Sequence, residues 1–344
     1  MRIPAQSHQA QEALTLVEEL QSYFAEKLNQ VSMTLGSNFP FEEVEWMRDS
    51  GKHGGGTRYE ARDNTLFNCG SINVSQVHYD DNPEKKLGSA TAISTIIHPL
   101  NPNVPSMHMH ISWTQMRDSS GYWRIMADLN PSIKNEDDKK TFDTMLKNSS
   151  YSYYEEASAQ GDKYFTIPVL NRTRGVSHFY LENFSTGDFQ ADYTFAKDIG
   201  KNIIETYTQI ITHAITQNSD STQQQKDEQL AYHTLYLFQV LTLDRGTTSG
   251  LLVHDQNDVG IMGSIPSFVN RELLKSWTTK MTQPQDKLVE DLLQALPEQN
   301  PTPVSADTKK KLASAVRKHY KKYPEALSMQ ASGEIIPPTV DNHS

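Results

Sequence analysis

Apolar positions recur at helical spacing over 8–33, where Leu14, Val17, Leu20, Phe24 and Leu28 share one face. The pattern predicts an amphipathic helix there. The period then shortens. Positions 41–48 read as a strand, and Ser50-Gly51-Lys52-His53-Gly54-Gly55-Gly56 marks a turn or a close approach of two backbones. From 57 to 128, runs rich in Ile, Val, Thr and aromatics are separated by Asp-Asn, Asp-Asn-Pro and Asn-Pro breaks. These predict strands over 71–78, 90–98, 106–116 and 121–128. A helix is predicted over 135–148, and strands near 163–168 and 175–182. Positions 189–243 turn helical again. Phe195, Ile199, Ile203, Tyr207 and Ile211 form one stripe, and Leu230 to Leu243 carries another. A β-like piece over 249–263 follows, then helices over 266–280, 285–296 and 305–323, with Asp307 near the start of the last. The polar tail from 330 reads as disordered. A block of strands followed by helices, with no internal repeat, predicts an α+β fold with an antiparallel sheet.

Composition narrows the chemistry. The 344 residues carry 42 acidic and 32 basic side chains, a net charge of −10. That balance argues against a generic nucleic-acid or anionic-membrane binder. Cys69 is the one cysteine, which excludes a disulfide framework, a thiolate zinc site and an iron–sulfur cluster. Any metal must therefore be held by carboxylates and the twelve histidines. Arg2 is not followed by an apolar stretch, and no run of about 18 apolar residues occurs. A soluble, cytoplasmic chain without a membrane span is expected, in which sequons such as Asn148-Ser149-Ser150 carry no glycosylation signal. GxSxG, HExxH, CxxC, Walker A and GxGxxG are all missing, so nothing points to a bound nucleotide or flavin. His53-Gly54-Gly55-Gly56 resembles the oxyanion loop of some esterases, but without a nucleophile elbow it reads as a plain turn.

Three segments carry more specific information. They are Ser94-Thr95-Ile96-Ile97-His98-Pro99-Leu100-Asn101-Pro102 with His108 ten residues beyond His98, Asp128-Leu129-Asn130-Pro131, and Asp244-Arg245-Gly246-Thr247. Trp46, Gly54-Gly55-Gly56, Asn73-Val74-Ser75-Gln76-Val77-His78 and Arg174-Gly175-Val176 accompany them. Together, from about residue 14 to residue 279, they resemble the oxygen-dependent coproporphyrinogen III oxidases. The resemblance implies a large flat antiparallel sheet sandwiched between helices, a homodimer, and an enzyme with no organic cofactor. Such enzymes use dioxygen to convert two propionates of coproporphyrinogen III into vinyls, in haem biosynthesis. By the same resemblance Ser94 contacts substrate, His108 donates a proton, and Asp128, Asp244 and Arg245 stand at the active site. His98 matches a histidine sometimes held to bind metal, and His78 the histidine of a Val-His-Gly motif.

The departures from that pattern are concentrated in a few places. Ser112 stands where the family has an arginine four residues after the proton-donor histidine. Arg124, Ile125 and Met126 replace three glycines, and Ser177-His178 replaces a Gly-Gly pair. Val169, Leu170 and Arg172 stand where the family has His-Arg-x-Glu, and Thr141 or Asp143 where it has a helix histidine. A strand's period of two puts Arg124, Met126 and Asp128 on one face. Arg124 is therefore a candidate replacement for the missing arginine in a diverged oxidase, with Ser94, His110 and Ser112 as further substrate contacts. A paralogue with a smaller, non-porphyrin substrate is the second reading. In that reading His108, His110, His178 and Asp128 are candidate ligands for iron, manganese or copper in a metal-dependent oxygenase. An inactive homologue that binds a tetrapyrrole or a protein is the third. Each histidine also has an ordinary reading: His110 as a hydrogen-bonded pocket residue, His178 as pointing into the helix layer, His98 as structural, and His53, His233 and His254 as surface or core residues. Asp244 and Arg245 could equally form an internal salt bridge, and Asp128 a turn.

The resemblance divides the chain into an α+β domain over 1–280, a helical extension over 281–329 and the tail. In the extension Lys309, Lys310, Lys311, Arg317, Lys318, Lys321 and Lys322 surround Leu312, Val316 and Tyr320. This cluster is either a solvated helix face or a docking surface for an acidic partner or another subunit.

Overall fold

The computed structural model describes residues 1–34, 36, 41–62, 65–218 and 220–336. Helix α1 (His8–Thr34) leads into six strands in chain order: β1 (Glu42–Met47), β2 (Gly54–Ala61), β3 (Phe67–His78), β4 (Leu87–Pro99), β5 (Ser106–Met116) and β6 (Gly121–Asn130). Helices α2 (Glu136–Ser150) and α3 (Tyr154–Phe165) follow, then a short ribbon of β7 (Thr166–Ile167) and β8 (Arg172–Thr173). Strand β9 (Ser177–Phe184) completes a seven-stranded antiparallel sheet of order β1-β2-β3-β4-β5-β6-β9. The long helices α4 (Phe189–Gln217) and α5 (Gln223–Thr242) come next, then α6 (Arg245–Val253) and α7 (Asp258–Ile261). The chain continues through β10 (Phe268–Val269), α8 (Arg271–Trp277), α9 (Gln285–Ala295), β11 (Thr302–Pro303) and α10 (Ala306–Lys322).

The two faces of the sheet differ in chemistry. One face presents Ile93, Met109, Ile111, Ile125 and Leu129, which pack with Leu16, Leu20 and Phe24 of α1 and Ile199, Ile203 and Tyr207 of α4 into one apolar core. The other face is rich in Ser, Asn, His and Arg. The helices above it form their own core, from Leu235, Phe238 and Leu241 of α5 through Leu288 and Leu292 of α9 to Leu312 and Val316 of α10. That second core runs without a break across residue 280, so the C-terminal helices share it with α5 and α8. A polar sheet face under an independently packed helical layer leaves space between the two.

The glycine run makes the close approach that its composition suggests. Gly54 and Gly55 adopt φ of 91° and 147°. A Cβ on Gly56 would lie 1.9 Å from the Val74 carbonyl oxygen and 2.6 Å from Trp46 Nε1.

Several predicted elements change. The strand expected over 163–168 is the end of α3 plus β7. Gly161 lets that helix lie against β9, since a Cβ there would stand 2.6 Å from His178 Cβ. The β-like piece expected over 249–263 is helical. Asp244 accepts from Thr247 N and starts α6, while Leu251 and Met262 bury in the second core. The long helical stretch over 189–243 breaks where Thr222 and Gln225 form a capping box at the start of α5. The helix expected over 266–280 is shortened to α8, because Phe268 and Val269 pair with Pro303 and Thr302 and Asn270 caps the helix.

The basic cluster of α10 is not one exposed face. Lys309 is buried, Lys311 pairs with Asp307 and Arg317 with Asp258. The disordered tail expected from 330 does not hold at its start. Gln330 Nε2 donates to the Tyr320 hydroxyl (3.0 Å), and Ala331 N donates to Leu243 O (2.9 Å). Residues 337–344 of that expectation lie outside the described residues.

Replacing Gly56 by Ala forces β2 away from β3, and overpacking of this kind costs roughly 1–3 kcal/mol. The expected outcome is a lower urea midpoint for G56A at unchanged slope.

Candidate active site

Antiparallel register sets the polar side chains of the sheet in rows. One row runs His178, Asp128, His108, Ile96 and Ser71 across five strands. The next runs Tyr180, Met126, His110, Ser94 and Asn73, and a third Arg124, Ser112, Ala92 and Ser75. Residues of these rows floor a cavity of about 270 Å³, just below the range of roughly 300–1,000 Å³ for small-molecule sites. Tyr236 and Val240 of α5, Asp244, and residues of α6 and α7 form its roof. The predicted contacts Ser94, His110, Ser112 and Arg124 all line it, as do His108 and Asp244. The period of two therefore placed the floor correctly.

Asp128 lies under that floor with no exposed surface. Its Oδ1 is 2.7 Å from His108 Nδ1, and its Oδ2 is 2.9 Å from Arg174 Nη2. Asn130, of the Asp-Leu-Asn-Pro run, donates from Nδ2 to Oδ2 at 2.6 Å. Burial alone would raise the carboxyl pKa. Arg174 first and His108 second outweigh it and hold the group at about 2. The carboxylate fixes Nδ1 of His108 as the bonded nitrogen, so Nε2 is the one left for a ligand on this cavity-lining ring. His110 is different. Burial first, then the nearby Arg124, pushes its pKa well below the usual histidine range, and its Nε2 meets Ser112 Oγ at 3.0 Å. It is a neutral pocket histidine.

Three expected roles are not met by the geometry. Arg124 gives Nε to Glu182 Oε2 (2.5 Å) and Nη2 to Glu182 Oε1 (3.0 Å). Its fork is therefore already filled from β9. Burial acts to lower its pKa, but Glu182 outweighs that and raises it. Asp244 and Arg245 part company. Asp244 caps α6 and accepts from the Tyr164 hydroxyl (2.8 Å) at the cavity, whereas Arg245 points away and donates from Nε to Ala331 O (2.9 Å). They form no salt bridge with each other among the described residues.

The set His108, His110, His178 and Asp128 is not assembled as metal ligands. His178 lies under α3 and spends Nδ1 on Asp162 Oδ1 (2.7 Å) and Nε2 on Arg174 O (2.7 Å). Asp128 has both oxygens engaged, and no group of three or more His, Cys, Asp or Glu suited to an ion occurs among the described residues.

The remaining histidines sort simply. His98 is fully buried between Ser106 Oγ (2.8 Å) and Ser264 O (3.2 Å), packed on Tyr236. His78 bonds Ile3 O near the N-terminus, and His53 lies between Asp49 and Asp81. His233 is core, but His254 lines the cavity beside Trp46, against expectation.

A cavity-lining residue to which the sequence assigns no role is Arg174. It lines the cavity at 2% exposure, with its guanidinium carbon 4.6 Å from the Phe165 ring and 4.8 Å from the Tyr236 ring. It opens the Arg-Gly-Val run, but nothing in that motif says where the guanidinium goes. Burial would lower its pKa, and Asp128 outweighs burial and raises it.

The site is thus a partly open cavity of mixed polar and apolar lining, with a carboxylate-bonded histidine in its wall. The comparisons with known proteins are more specific. The coproporphyrinogen III oxidase family profile matches residues 12–297. An oxygen-dependent coproporphyrinogen-III oxidase of Rickettsia bellii (strain OSU 85-389) is 28% identical over 240 residues, 66% of this chain and 83% of the relative. That of Rickettsia akari (strain Hartford) is 27% identical over the same shares. That of Rickettsia prowazekii (strain Madrid E) is 30% identical over 184 residues, 52% of this chain and 64% of the relative. The chain belongs to the coproporphyrinogen III oxidase family. Among the described residues no helix is long and apolar enough to cross a membrane.

Replacing Asp128 by Asn leaves the Arg174 charge buried and unpaired, which costs about 3–5 kcal/mol. Because the Asp128 pKa is depressed from 3.8 to about 2, its contribution is full above pH 3.8 and is lost as pH falls toward 2. Urea unfolding across that window is expected to show a smaller acid-dependent loss in D128N than in the parent, the remainder coming from other carboxylates with lowered pKa such as Asp81 and Asp162.

Proposed function

We propose that this protein is an oxygen-dependent coproporphyrinogen III oxidase: it binds the porphyrinogen in the cavity and converts propionate side chains to vinyls with dioxygen as co-substrate. The observation that supports this most directly is the Asp128–His108 pair at the cavity wall. The reaction needs no organic cofactor, because the electron-rich substrate supplies both electrons. For each propionate the bond to the carboxylate carbon breaks and carbon dioxide leaves. Its electron pair becomes part of the new C=C bond. The ring-side methylene gives up a hydrogen with its two electrons to dioxygen, and one further proton completes hydrogen peroxide. The protein has to orient the side chain, keep water from competing and manage that proton.

His108 is the group suited to the proton. Asp128 fixes its tautomer by bonding Nδ1, which leaves Nε2 for the substrate. Ser94 and the neutral His110 offer hydrogen bonds to the substrate from the neighbouring row. Asp244, on the roof, faces the pyrrole side of a ligand lying on the floor. On the same reading the protein works in the cytoplasm as a homodimer, which light scattering at micromolar concentration checks by mass.

Incubation with coproporphyrinogen III in air, followed by mass spectrometry, is the test. Loss of carbon dioxide and two hydrogens per propionate is expected, and unchanged substrate overturns the reading. H108Q is expected to lower kcat about 10²–10⁴-fold with little change in KM.

A further inference from the structure

We propose that Arg174 is the carboxylate receptor of this cavity, standing in for the arginine that Ser112 lacks. The inference rests on the oxidase reading above, since it concerns how that site holds a propionate. Two arginines line the cavity among the described residues, Arg124 and Arg174. Arg124 spends Nε and Nη2 on the two oxygens of Glu182. A substrate carboxylate would have to displace a buried ion pair to use them. Ser112 carries no charge and is bonded to His110.

Arg174 spends one nitrogen of three. Nη2 bonds Asp128, while Nε and Nη1 are buried without a hydrogen-bond partner. Nη2 lies between these two along the guanidinium, so each edge of the group keeps one open donor. Proteins seldom leave buried donors of a charged group unmet, and those they do leave call for an explanation such as a ligand. The guanidinium carbon packs against two rings, 4.6 Å from that of Phe165 and 4.8 Å from that of Tyr236. His178 Nε2 against Arg174 O and the Arg174 N bond to Phe165 O hold its backbone (2.7 and 3.0 Å). The receptor is thus rigid before the ligand arrives, which favours a planar carboxylate. Asp128 touches both Arg174 and His108, so a carboxylate on Arg174 is presented on the side of the cavity that holds the proton-managing histidine.

The test uses coproporphyrin III, the air-stable oxidised form, with binding followed by fluorescence and compared with its tetramethyl ester. R174K keeps a charge for Asp128 but loses the extra donors. R174M/D128N, measured against D128N, removes the charge without stranding its partner. If Arg174 is the receptor, both arginine changes weaken coproporphyrin III binding by about tenfold or more, and the preference for the free acid over the ester collapses. KM for coproporphyrinogen III rises in R174K more than kcat falls. Parent protein that binds, with both variants binding within about twofold, overturns the receptor role and leaves the oxidase reading standing. Parent protein that neither binds coproporphyrin III nor turns over its porphyrinogen overturns the oxidase reading, and the receptor with it. Should R174M/D128N fail to fold by circular dichroism, R174K decides alone.

Discussion

Everything at this site depends on one buried carboxylate. Asp128 has no exposed surface and sits on β6, between β5 and the edge strand β9. An ion in that position costs several kcal/mol unless its oxygens are met. Here Arg174, His108 and Asn130 meet them. Each of those partners is constrained in return. His108 has its tautomer set, Asn130 closes the end of β6, and Arg174 is drawn under the helices. Because the guanidinium is also clasped by Phe165 of α3 and Tyr236 of α5, a single charge ties the sheet to two helices that cover it.

The cavity follows from an asymmetry between the two faces of the sheet. The apolar face packs directly on α1 and α4. The polar face cannot be packed that way without stranding its Ser, Asn, His and Arg groups, so the helices above it close a core of their own. Local hydrogen bonds then fix the roof. Asp244 caps α6 and takes the Tyr164 hydroxyl, joining the roof to α3. The segment after Met329 adds Ala331 to Leu243 and Arg245, which ties the C-terminal helices to the same corner.

The side chains that replace glycines relative to the family pattern have structural partners. Arg124 and Glu182 neutralise each other, and the Tyr180 hydroxyl donates to the same carboxylate. His178 is bonded to Asp162 and to the backbone of Arg174, so it supports the corner that presents the guanidinium. Arg124 and His178 are thus parts of the wall around the cavity, held by carboxylates and backbone.

Much of this was legible beforehand. A period of two over 106–116 and 121–128 placed His108, His110, Arg124 and Asp128 on one face, because alternation is a property of a strand whatever surrounds it. The helical stripe of α1 was equally plain. The piece over 249–263 was not legible: Leu251-Leu252-Val253 is too short an apolar run to separate strand from helix, and a cap from Asp244 decided it. The same division holds at the site. The sequence by itself determined the family, the strand faces and the sharing of one sheet face by His108 and Asp128. The tertiary structure decided that Arg124 belongs to Glu182, that Arg245 turns away and that Arg174 turns in. The physical reason is that a guanidinium on a long flexible stem reaches many neighbours, and its partner is chosen by which carboxylates and rings the folded chain brings within reach, information that spacing along the chain does not contain.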